Sequence, residues 1–340
     1  MTGIEDVARE AGVSTATVSR ALRGLPRVAE ETRERVLAAA ARMEYVASPN
    51  AASLASGLTR TVGIVVPNVT RWFFGSVIHG AEELLRSEGY DLLLYNITGD
   101  AEARHRLFST HLLSKRVDAL MVLALRPTPA EVASLGRLGS PTVVVGGYVP
   151  DWPSVRIDDV LAATTAVQHL IDLGHERIAH LGGTPDPEHA GLQFSTPADR
   201  LAGYRQTMAG AGLRVDPAWE VTGDFTAHGG VEACRRLLGA TDDANRPTAI
   251  FAGSDEMAVG AVHTLRQAGL RVPEDISVVG IDDHELSEFF DLTTVAQPAN
   301  DLGRLGARIL LDALGGVDHD PSGLILPTSL VRRRSAAAAP

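Results

Sequence analysis

Seven apolar runs of strand length recur between helical segments after Thr61, and this alternation limits the fold more than any other feature. Strands of this kind are buried on both faces, and strands that alternate with helices form parallel sheets. The runs are TVGIVVP (61–67), DLLLYN (91–96), ALMVLAL (119–125), PTVVVGG (141–147), RIAHLGG (177–183), TAIFAGS (248–254) and SVVGID (277–282). We therefore expect an α/β core of doubly wound parallel sheets.

This part of the chain is about 280 residues long, which is large for one doubly wound domain. A break near Asp158 divides it into two similar halves. Ligands of such sheets bind beyond the carboxyl ends of the strands, so polar residues after each strand are candidates for a site. The last residues, 335–340, are predicted to be a disordered tail.

The first 46 residues carry no strand pattern and indicate an all-α head of three short helices. Apolar residues at positions 4, 7, 8 and 11 mark one face of a helix that Gly12 ends. Ser14 is a good N-cap for a second helix, and RGLPRV is a turn. A third helix is expected from Glu30 to Tyr45, and its predicted inward residues are Val36, Leu37, Ala40 and Met43.

A helix, a tight turn with Gly and a second helix with outward polar residues indicate a helix-turn-helix. Thr15 and Ala16 are small enough to let the second helix approach base edges, and Arg20 is long enough to reach a guanine edge. Ser14, Thr17 and Ser19 are candidates for phosphate contacts. Periodicity alone fits a weakly specified surface helix equally well.

The net charge of −11 does not exclude nucleic acid as a partner. Residues 1–60 contain eight Arg and seven acidic residues, so the acidity belongs to the rest of the chain. The single cysteine, Cys234, cannot form an intrachain disulfide, and no run is long enough to span a bilayer. The first residues do not form a secretory signal, so we expect a cytoplasmic protein without a membrane partner.

The motifs IEDVAREAGVSTATVSRAL, VAEETRERVLAAAARMEYV, SLASGLTRTVGIVVP, VPEDISVVGIDD and LTTVAQPANDLGRLGARIL resemble those of the LacI/GalR family of bacterial transcription regulators. The resemblance covers roughly residues 3–331. It implies a repressor that binds a near-palindromic operator in double-stranded DNA as a homodimer. It also implies a hinge helix or linker at 47–60, whose Leu54 inserts into the minor groove. This hinge departs from the commoner pattern, since Pro-Asn comes two residues late and Ala52 replaces the usual Arg.

The core, 61–334, resembles the bilobed fold of periplasmic sugar-binding proteins, with a small-molecule effector held between the lobes. We expect one lobe from about 61–158 plus 290–322 and the other from 159–289 plus 323–334. The resemblance assigns effector contacts to the residues after the strands. They are Trp72, Phe73, Phe74, Arg200, Phe225, Ser254, Asp255, Asp282 and Gln297, where Gln297 either touches the effector or lines the hinge between the lobes.

Arg200, Asp282 and aromatic faces suit a neutral sugar, with a purine as the second choice. The function expected is repression of carbohydrate-utilisation genes, with sugar releasing DNA. The alternatives are a regulator co-repressed by a purine or another small molecule, and a sugar-binding protein without a regulatory role.

No cofactor, catalytic residue or metal ligand is predicted. In HERIAH (175–180) the two His are five residues apart, whereas the zinc motif needs four on one helix. The Gly-rich segments match no phosphate-binding fingerprint, and no nucleophile elbow is present, so an enzyme is not expected.

Overall fold

The computed structural model describes residues 3–22, 24, 26–45, 58–97, 101–109, 113, 115–125, 127–183 and 196–340. Most of the predicted hinge, including Leu54, lies outside these ranges. Contacts divide the chain into two units, Met1–Thr61 and Val62–Pro340, which we call the head and the core. None of the helices within the described ranges is long and apolar enough to cross a membrane.

The head consists of helices α1 (Ile4–Ala11), α2 (Thr15–Leu22) and α3 (Glu30–Arg42). Gly12 follows α1 with φ of 64°, a left-handed conformation that glycine adopts easily, and the chain turns there toward α2. Small and β-branched residues form the buried centre: Val7, Ala8, Ala11, Val18, Ala21, Val36, Ala39 and Ala40. Because side chains this small fill the centre, the three helices pack closely.

The predicted inward face of α3 is wrong at one position. Leu37 is 46% exposed, and Ala39 is buried instead. Val36, Ala39 and Ala40 lie three and four residues apart, which places them together on one face of the helix, and Leu37 lies off that face.

The core contains eight α-helices, one short 3₁₀ helix (Pro217–Trp219) and twelve strands within the described ranges. The helices are α4 (Trp72–Ser87), α5 (Ala101–Ser109), α6 (Pro129–Leu138), α7 (Asp159–Asp172), α8 (Thr196–Gly210), α9 (Ala227–Ala240), α10 (Asp255–Gln267) and α11 (Ala299–Leu314). The strands are β1 (Thr61–Val66), β2 (Asp91–Asn96), β3 (Ala119–Leu123), β4 (Thr142–Val145), β5 (Ser154–Ile157), β6 (Ile178–Gly182), β7 (Glu220–Thr222), β8 (Ala249–Ala252), β9 (Ser277–Asp282), β10 (Thr293–Ala296), β11 (Leu324–Leu326) and β12 (Ser329–Val331).

Two six-stranded sheets define two lobes, as the alternation of strands and helices predicts. Lobe 1 has the order β11-β5-β4-β3-β1-β2, and lobe 2 has the order β12-β10-β9-β8-β6-β7. Helices cover both faces of each sheet: α4 and α11 lie opposite α5 and α6 in lobe 1, and α7 and α8 lie opposite α9 and α10 in lobe 2. The pairs β1–β3, β3–β4, β4–β5 and β5–β11 in lobe 1 and β6–β7, β6–β8, β8–β9 and β9–β10 in lobe 2 are parallel, whereas β12 runs antiparallel to β10.

The predicted lobe boundaries need correction near the C-terminal end. β10 pairs with β9, so residues 293–296 belong to lobe 2 rather than lobe 1. β11 pairs with β5, which places residues 324–326 in lobe 1 rather than lobe 2. The chain therefore crosses between the lobes after β5, after β10 and after β11. Three crossovers of this kind let two lobes rotate about a common hinge.

Residues 335–340 are not the predicted disordered tail, since they are built into lobe 2. Ser335 is 2% exposed, and its hydroxyl accepts the Thr293 N–H at 2.8 Å and donates to the Val278 carbonyl at 2.6 Å. The Ala339 N–H donates to the Leu173 carbonyl at 2.9 Å. Low sequence complexity indicated disorder, but the Val278 N–H in β9 also donates to the Ser335 carbonyl at 2.8 Å, and a backbone hydrogen bond of this kind does not depend on side-chain variety.

Candidate functional site

A cavity of about 270 Å³ lies between the two lobes, at the carboxyl ends of the parallel strands. This is the position that the fold predicts for a ligand. Both lobes contribute to its wall. Its polar and aromatic lining residues are Asn68, Arg71, Phe73, Phe74, Asp159, Thr196, Arg200, Asp224, Phe225, Ser254, Glu256, Asp282 and Gln297.

Arg200 lies at the centre of this wall, in the first turns of α8. It is 4% exposed, and its Nε lies 2.8 Å from an Asp159 carboxylate oxygen. Its Nη1 donates to the Gly253 carbonyl, and the guanidinium carbon lies 5.9 Å from the centre of the Phe225 ring. Burial raises the pKa of Asp159, and the charge of Arg200 opposes that rise. Arg200 is thus held in one orientation, which suits a side chain that donates hydrogen bonds to a ligand.

Asp282 ends β9 and faces the same cavity. Its carboxylate accepts the side-chain amide of Gln297 at 2.5 Å and, weakly, the Asp255 N–H at 3.4 Å. Burial raises the pKa of Asp282, and the neighbouring charge of Asp255 raises it further. Gln297 follows β10 at a crossover between the lobes, so it both lines the cavity and stands at the hinge.

Asp255 is a predicted effector contact that the structure does not place at the cavity. It is completely buried and does not line the cavity. Its carboxylate accepts the hydroxyls of Ser287 (2.6 Å) and Thr294 (2.7 Å) and the His284 N–H (2.9 Å). These bonds join α10, β10 and the loop after β9, so the role of Asp255 is structural. Ser254 does line the cavity, and its hydroxyl accepts the Met257 N–H as the N-cap of α10.

Three of the four predicted aromatic residues face the cavity: Phe73, Phe74 and Phe225. Trp72 does not line it. Its ring lies 5.2 Å from the ring of His284 in lobe 2, because the first turn of α4 directs position 72 toward the other lobe.

Phe225 is fixed by its backbone and by its neighbour. Asp224 and Phe225 both have left-handed φ angles, of 52° and 55°. The Phe225 ring fills the space beside Gly183, where a Cβ would lie 2.2 Å from it. Non-glycine residues in this conformation cost free energy that the surroundings must offset. The segment therefore holds one aromatic face toward the cavity.

Sequence reasoning missed several cavity residues. Asp159 follows β5, a four-residue strand that the apolar pattern did not predict, and Arg71 lies one residue before the predicted aromatic cluster. Other polar cavity residues that it missed are Asn68, Thr196, Asp224 and Glu256, and each lies close to the end of a helix or strand at the cleft. A search for polar residues at the end of every strand, and not only in recognised motifs, would have been the way to find them.

The candidate DNA-contacting residues of the head lie on one side of α2. Ser14, Thr15, Ala16 and Arg20 are exposed, and Thr17 and Ser19 are half-buried, while Val18 and Ala21 face the interior of the head. The Ser14 hydroxyl accepts the Thr17 N–H at 3.2 Å and hydrogen-bonds the Thr17 hydroxyl at 2.9 Å, so it caps the helix. Most of these side chains are small and polar, so the backbone of the helix can come close to a DNA groove.

Comparison with known proteins identifies the family. Residues 3–49 match the model described as bacterial regulatory proteins, lacI family, and residues 167–336 match a periplasmic binding protein-like domain. The HTH-type transcriptional repressor PurR of Photobacterium profundum is 37% identical, with 98% of each chain covered. The chain belongs to the LacI family.

Solved structures of LacI-family proteins share the architecture. A complex of the transcriptional regulator CelR with cellobiose is 33% identical with a TM-score of 0.72, and 98% of this chain and 100% of that chain are covered. The lac repressor dimer bound to operator and the anti-inducer ONPF is 28% identical with a TM-score of 0.85, and 99% of each chain is covered. This LacI-family chain is therefore a DNA-binding transcriptional regulator whose core is a periplasmic binding protein-like domain.

The HERIAH segment has no metal-site geometry in the LacI-family core. His175 hydrogen-bonds Thr248, Ser277 and the Ala337 carbonyl. His180 lies in the interior of lobe 2 between the rings of Phe251 and Tyr204, and burial lowers its pKa to about 4. Both are structural residues of lobe 2.

Proposed function

We propose that this LacI-family regulator represses genes for the use of a small neutral sugar, which binds in the cavity between the lobes and releases operator DNA. The observation that supports the proposal is the cavity itself. It combines fixed hydrogen-bonding groups, on Arg200, Asp282 and Gln297, with the aromatic faces of Phe73 and Phe225. Sugars need both, since their ring edges carry hydroxyls and their ring faces are apolar.

The charge of the wall supports a neutral ligand. Within the described residues, the carboxyl groups of Asp159, Asp224, Glu256 and Asp282 line the cavity against the guanidiniums of Arg71 and Arg200, and the raised pKa of Asp282 favours its neutral form. Arg200 pairs with Asp159 and Arg71 with Glu256, so each of these two lining guanidiniums already has a counter-charge. A phosphorylated sugar would be repelled, whereas a hydroxyl can donate to a carboxylate and accept from Arg200 at once.

The size of the cavity supports a single ring. Its volume of about 270 Å³ is just below the range of roughly 300–1,000 Å³ that is typical of small-molecule sites. A monosaccharide is of a size to fit such a space. The CelR relative forms a complex with cellobiose, a neutral sugar.

A homodimer is part of the proposal. The lac repressor neighbour is a dimer on its operator. Two heads held by paired cores would read two half-sites, and a ligand that binds one lobe arrangement better would shift the operator affinity. In this chain the contacts with DNA would come from Ser14, Thr15, Ala16, Thr17, Ser19 and Arg20, together with Leu54.

A thermal-shift screen of the full-length protein tests the effector class. The panel contains neutral monosaccharides and disaccharides, their phosphates, and purines. A ligand at 100 times its dissociation constant stabilises the folded state by about 2.7 kcal/mol, which a melt detects. We expect a neutral monosaccharide to raise the melting temperature, and Asp282→Asn to abolish the shift. Asp283→Asn is the matched control, because Asp283 pairs with Arg333 rather than facing the cavity. A response to purines or phosphates alone would contradict the sugar assignment.

Arg20→Ala tests the DNA-reading helix. Selection from random duplexes first supplies an operator. Because a guanidinium that reads a base edge contributes about 1–3 kcal/mol of discrimination, we expect the variant to lose the preference for operator over unrelated DNA. Arg9→Ala, at an exposed position of α1, is the control. An unchanged preference in Arg20→Ala would exclude Arg20 from base readout.

A further inference from the structure

The rim of the cleft carries a side chain that joins the two lobes directly. Arg71 is the N-cap residue of α4 in lobe 1. Its guanidinium donates to the carbonyl of Phe225 at 2.8 Å and to the carbonyl of Asp224 at 3.3 Å, both in lobe 2. It also lies 3.8 Å from the carboxylate of Glu256, at the start of α10 in lobe 2. A single arginine therefore contacts two separate segments of the opposite lobe.

Glu256 also faces the start of α4. No side chain of the N-cap residue Arg71 caps that helix, and the 3.8 Å ion pair with Arg71 brings the Glu256 carboxylate close to the helix start. A carboxylate is favourable at a helix N-terminus, and this one lies at the starts of both α4 and α10.

Trp72, the residue after Arg71, also contacts lobe 2 at the rim of the cleft. The Trp72 ring lies 5.2 Å from the His284 ring of lobe 2, with an angle of 34° between the ring planes. The two carbonyl acceptors of Arg71 belong to residues with left-handed φ angles, so they are held in a defined direction rather than presented by a loose loop. The side chains of Arg71 and Glu256 are 23% and 25% exposed, which limits screening of their charges by solvent.

We propose that Arg71 and Glu256 are positioning residues that form a latch across the cleft and hold the two lobes closed around the cavity. All of their contacts described above join lobe 1 to lobe 2, so opening of the cleft breaks every one of them. The apparent affinity of a ligand falls with the fraction of molecules in the competent state, so the latch raises effector affinity by keeping the site assembled. The inference rests on the proposed function only in treating the cavity as the effector site, since the latch acts without a ligand.

The test measures the distance between the lobes in the ligand-free protein. Ala133→Cys on α6 and Ala209→Cys on α8 place spin labels at exposed positions of lobe 1 and lobe 2. Cys234 is completely buried. The full chain is labelled, mixed with an excess of unlabelled chain so that only distances within one chain count, and measured by pulsed electron paramagnetic resonance.

We expect Arg71→Met to move the distance distribution by more than about 2 Å, the scale of a hinge rearrangement. Arg86→Met is the matched control, because Arg86 is on the same helix but pairs with Glu82 within lobe 1. Met retains most of the aliphatic stem, so the comparison isolates the guanidinium. A distribution that is the same for Arg71→Met, Arg86→Met and the unmodified chain would overturn the latch.

Glu256→Gln gives an independent measurement, which also decides the question if Arg71→Met does not fold. Gln keeps the size and an acceptor oxygen but removes the charge, so we expect a smaller shift in the same direction. In the double variant the shifts should be less than additive, because both changes break one shared contact. Additive shifts, or no shift in Glu256→Gln, would contradict a joint latch. Because no effector is used, a failed effector screen leaves this result unaffected.

Discussion

At the scale of single residues, the cavity depends on a buried ion pair. The side chains of Arg200 and Asp159 are 5% and 13% exposed, and their charged groups are 2.8 Å apart. A pair of this kind is expensive to break from one side, because the remaining charge stays buried without a partner. Effector recognition and stability are therefore expected to be coupled at this position.

Arg200→Ala should lower the free energy of unfolding by about 3–5 kcal/mol, the usual cost of leaving one member of a buried ion pair alone. Urea unfolding of the full-length protein measures it. Adding Asp159→Asn to the same chain should recover much of the loss, since the neutral amide needs no counter-charge. Unaltered stability in Arg200→Ala would show that Asp159 finds another partner or becomes neutral without cost.

The raised pKa of Asp282 predicts how stability depends on pH. At pH values above the ordinary carboxyl pKa of about 4, Asp282 loses its proton in the unfolded chain but keeps it in the folded chain. Stability from this group therefore falls as the pH rises from about 4 through the raised pKa. Asp282→Asn cannot titrate, so we expect its stability relative to the unmodified chain to increase between about pH 5 and pH 8. Urea titrations at several pH values measure the difference, and parallel curves would contradict the prediction.

The sequence led to some site residues and not to others for a physical reason. Arg200, Phe225 and Asp282 stand in motifs where spacing along the chain suffices to place them after a strand or at a helix start. Asp255 stands in such a motif too, but whether its side chain faces the cavity or the neighbouring strand depends on packing that spacing does not record. Asp159 became part of the site only because α7 and α8 pack together and bring it to Arg200.

At the scale of elements, apolar runs identified seven strands and missed five short ones. All seven predicted strands exist, with ends within two residues of the runs. The missed strands, β5, β7, β10, β11 and β12, have three or four residues, and several carry polar or exposed side chains. A strand of this length has too few residues to show a period, and its pairing is decided by residues far away along the chain.

The C-terminal segment is an element whose removal should matter. Truncation after Arg334 deletes the Ser335 hydrogen bonds to Val278 and Thr293 and the bond from Ala339 to Leu173. Each bond contributes about 1 kcal/mol, and buried groups left unpaired add to the loss, so we expect at least about 3 kcal/mol of destabilisation in urea. Truncation after Ala339, which removes only Pro340, is the control. Equal stability of the two truncated chains would show that the segment adds nothing to lobe 2.

At the scale of the whole molecule, charge is divided between the parts of the chain. Residues 1–60 carry a net charge of +1 and the remainder carries −12, so only the head is suited to a polyanion. Affinity for DNA of any sequence should therefore be weak in one chain, and specific binding must come from two heads acting together and from the fit of the hinge to the operator. Because specific binding needs both heads and the hinge together, a conformational change in the core can control DNA binding.

The hinge prediction follows from this division of labour. Leu54 lies outside the described residues and is expected to insert between base pairs at the centre of the operator. Unstacking these base pairs costs a few kcal/mol, and only an easily deformed DNA sequence and the hinge of the second chain can offset that cost. Leu54→Ala should therefore weaken binding to the selected operator more than binding to unrelated DNA of the same length. Fluorescence-anisotropy titrations on both duplexes at one salt concentration measure the two losses. Leu58→Ala, near the end of the predicted hinge and 40% exposed, is the matched control. If Leu54→Ala loses the same factor on both DNAs, the side chain contributes no specificity and the contact of the hinge with the minor groove is not the source of operator preference.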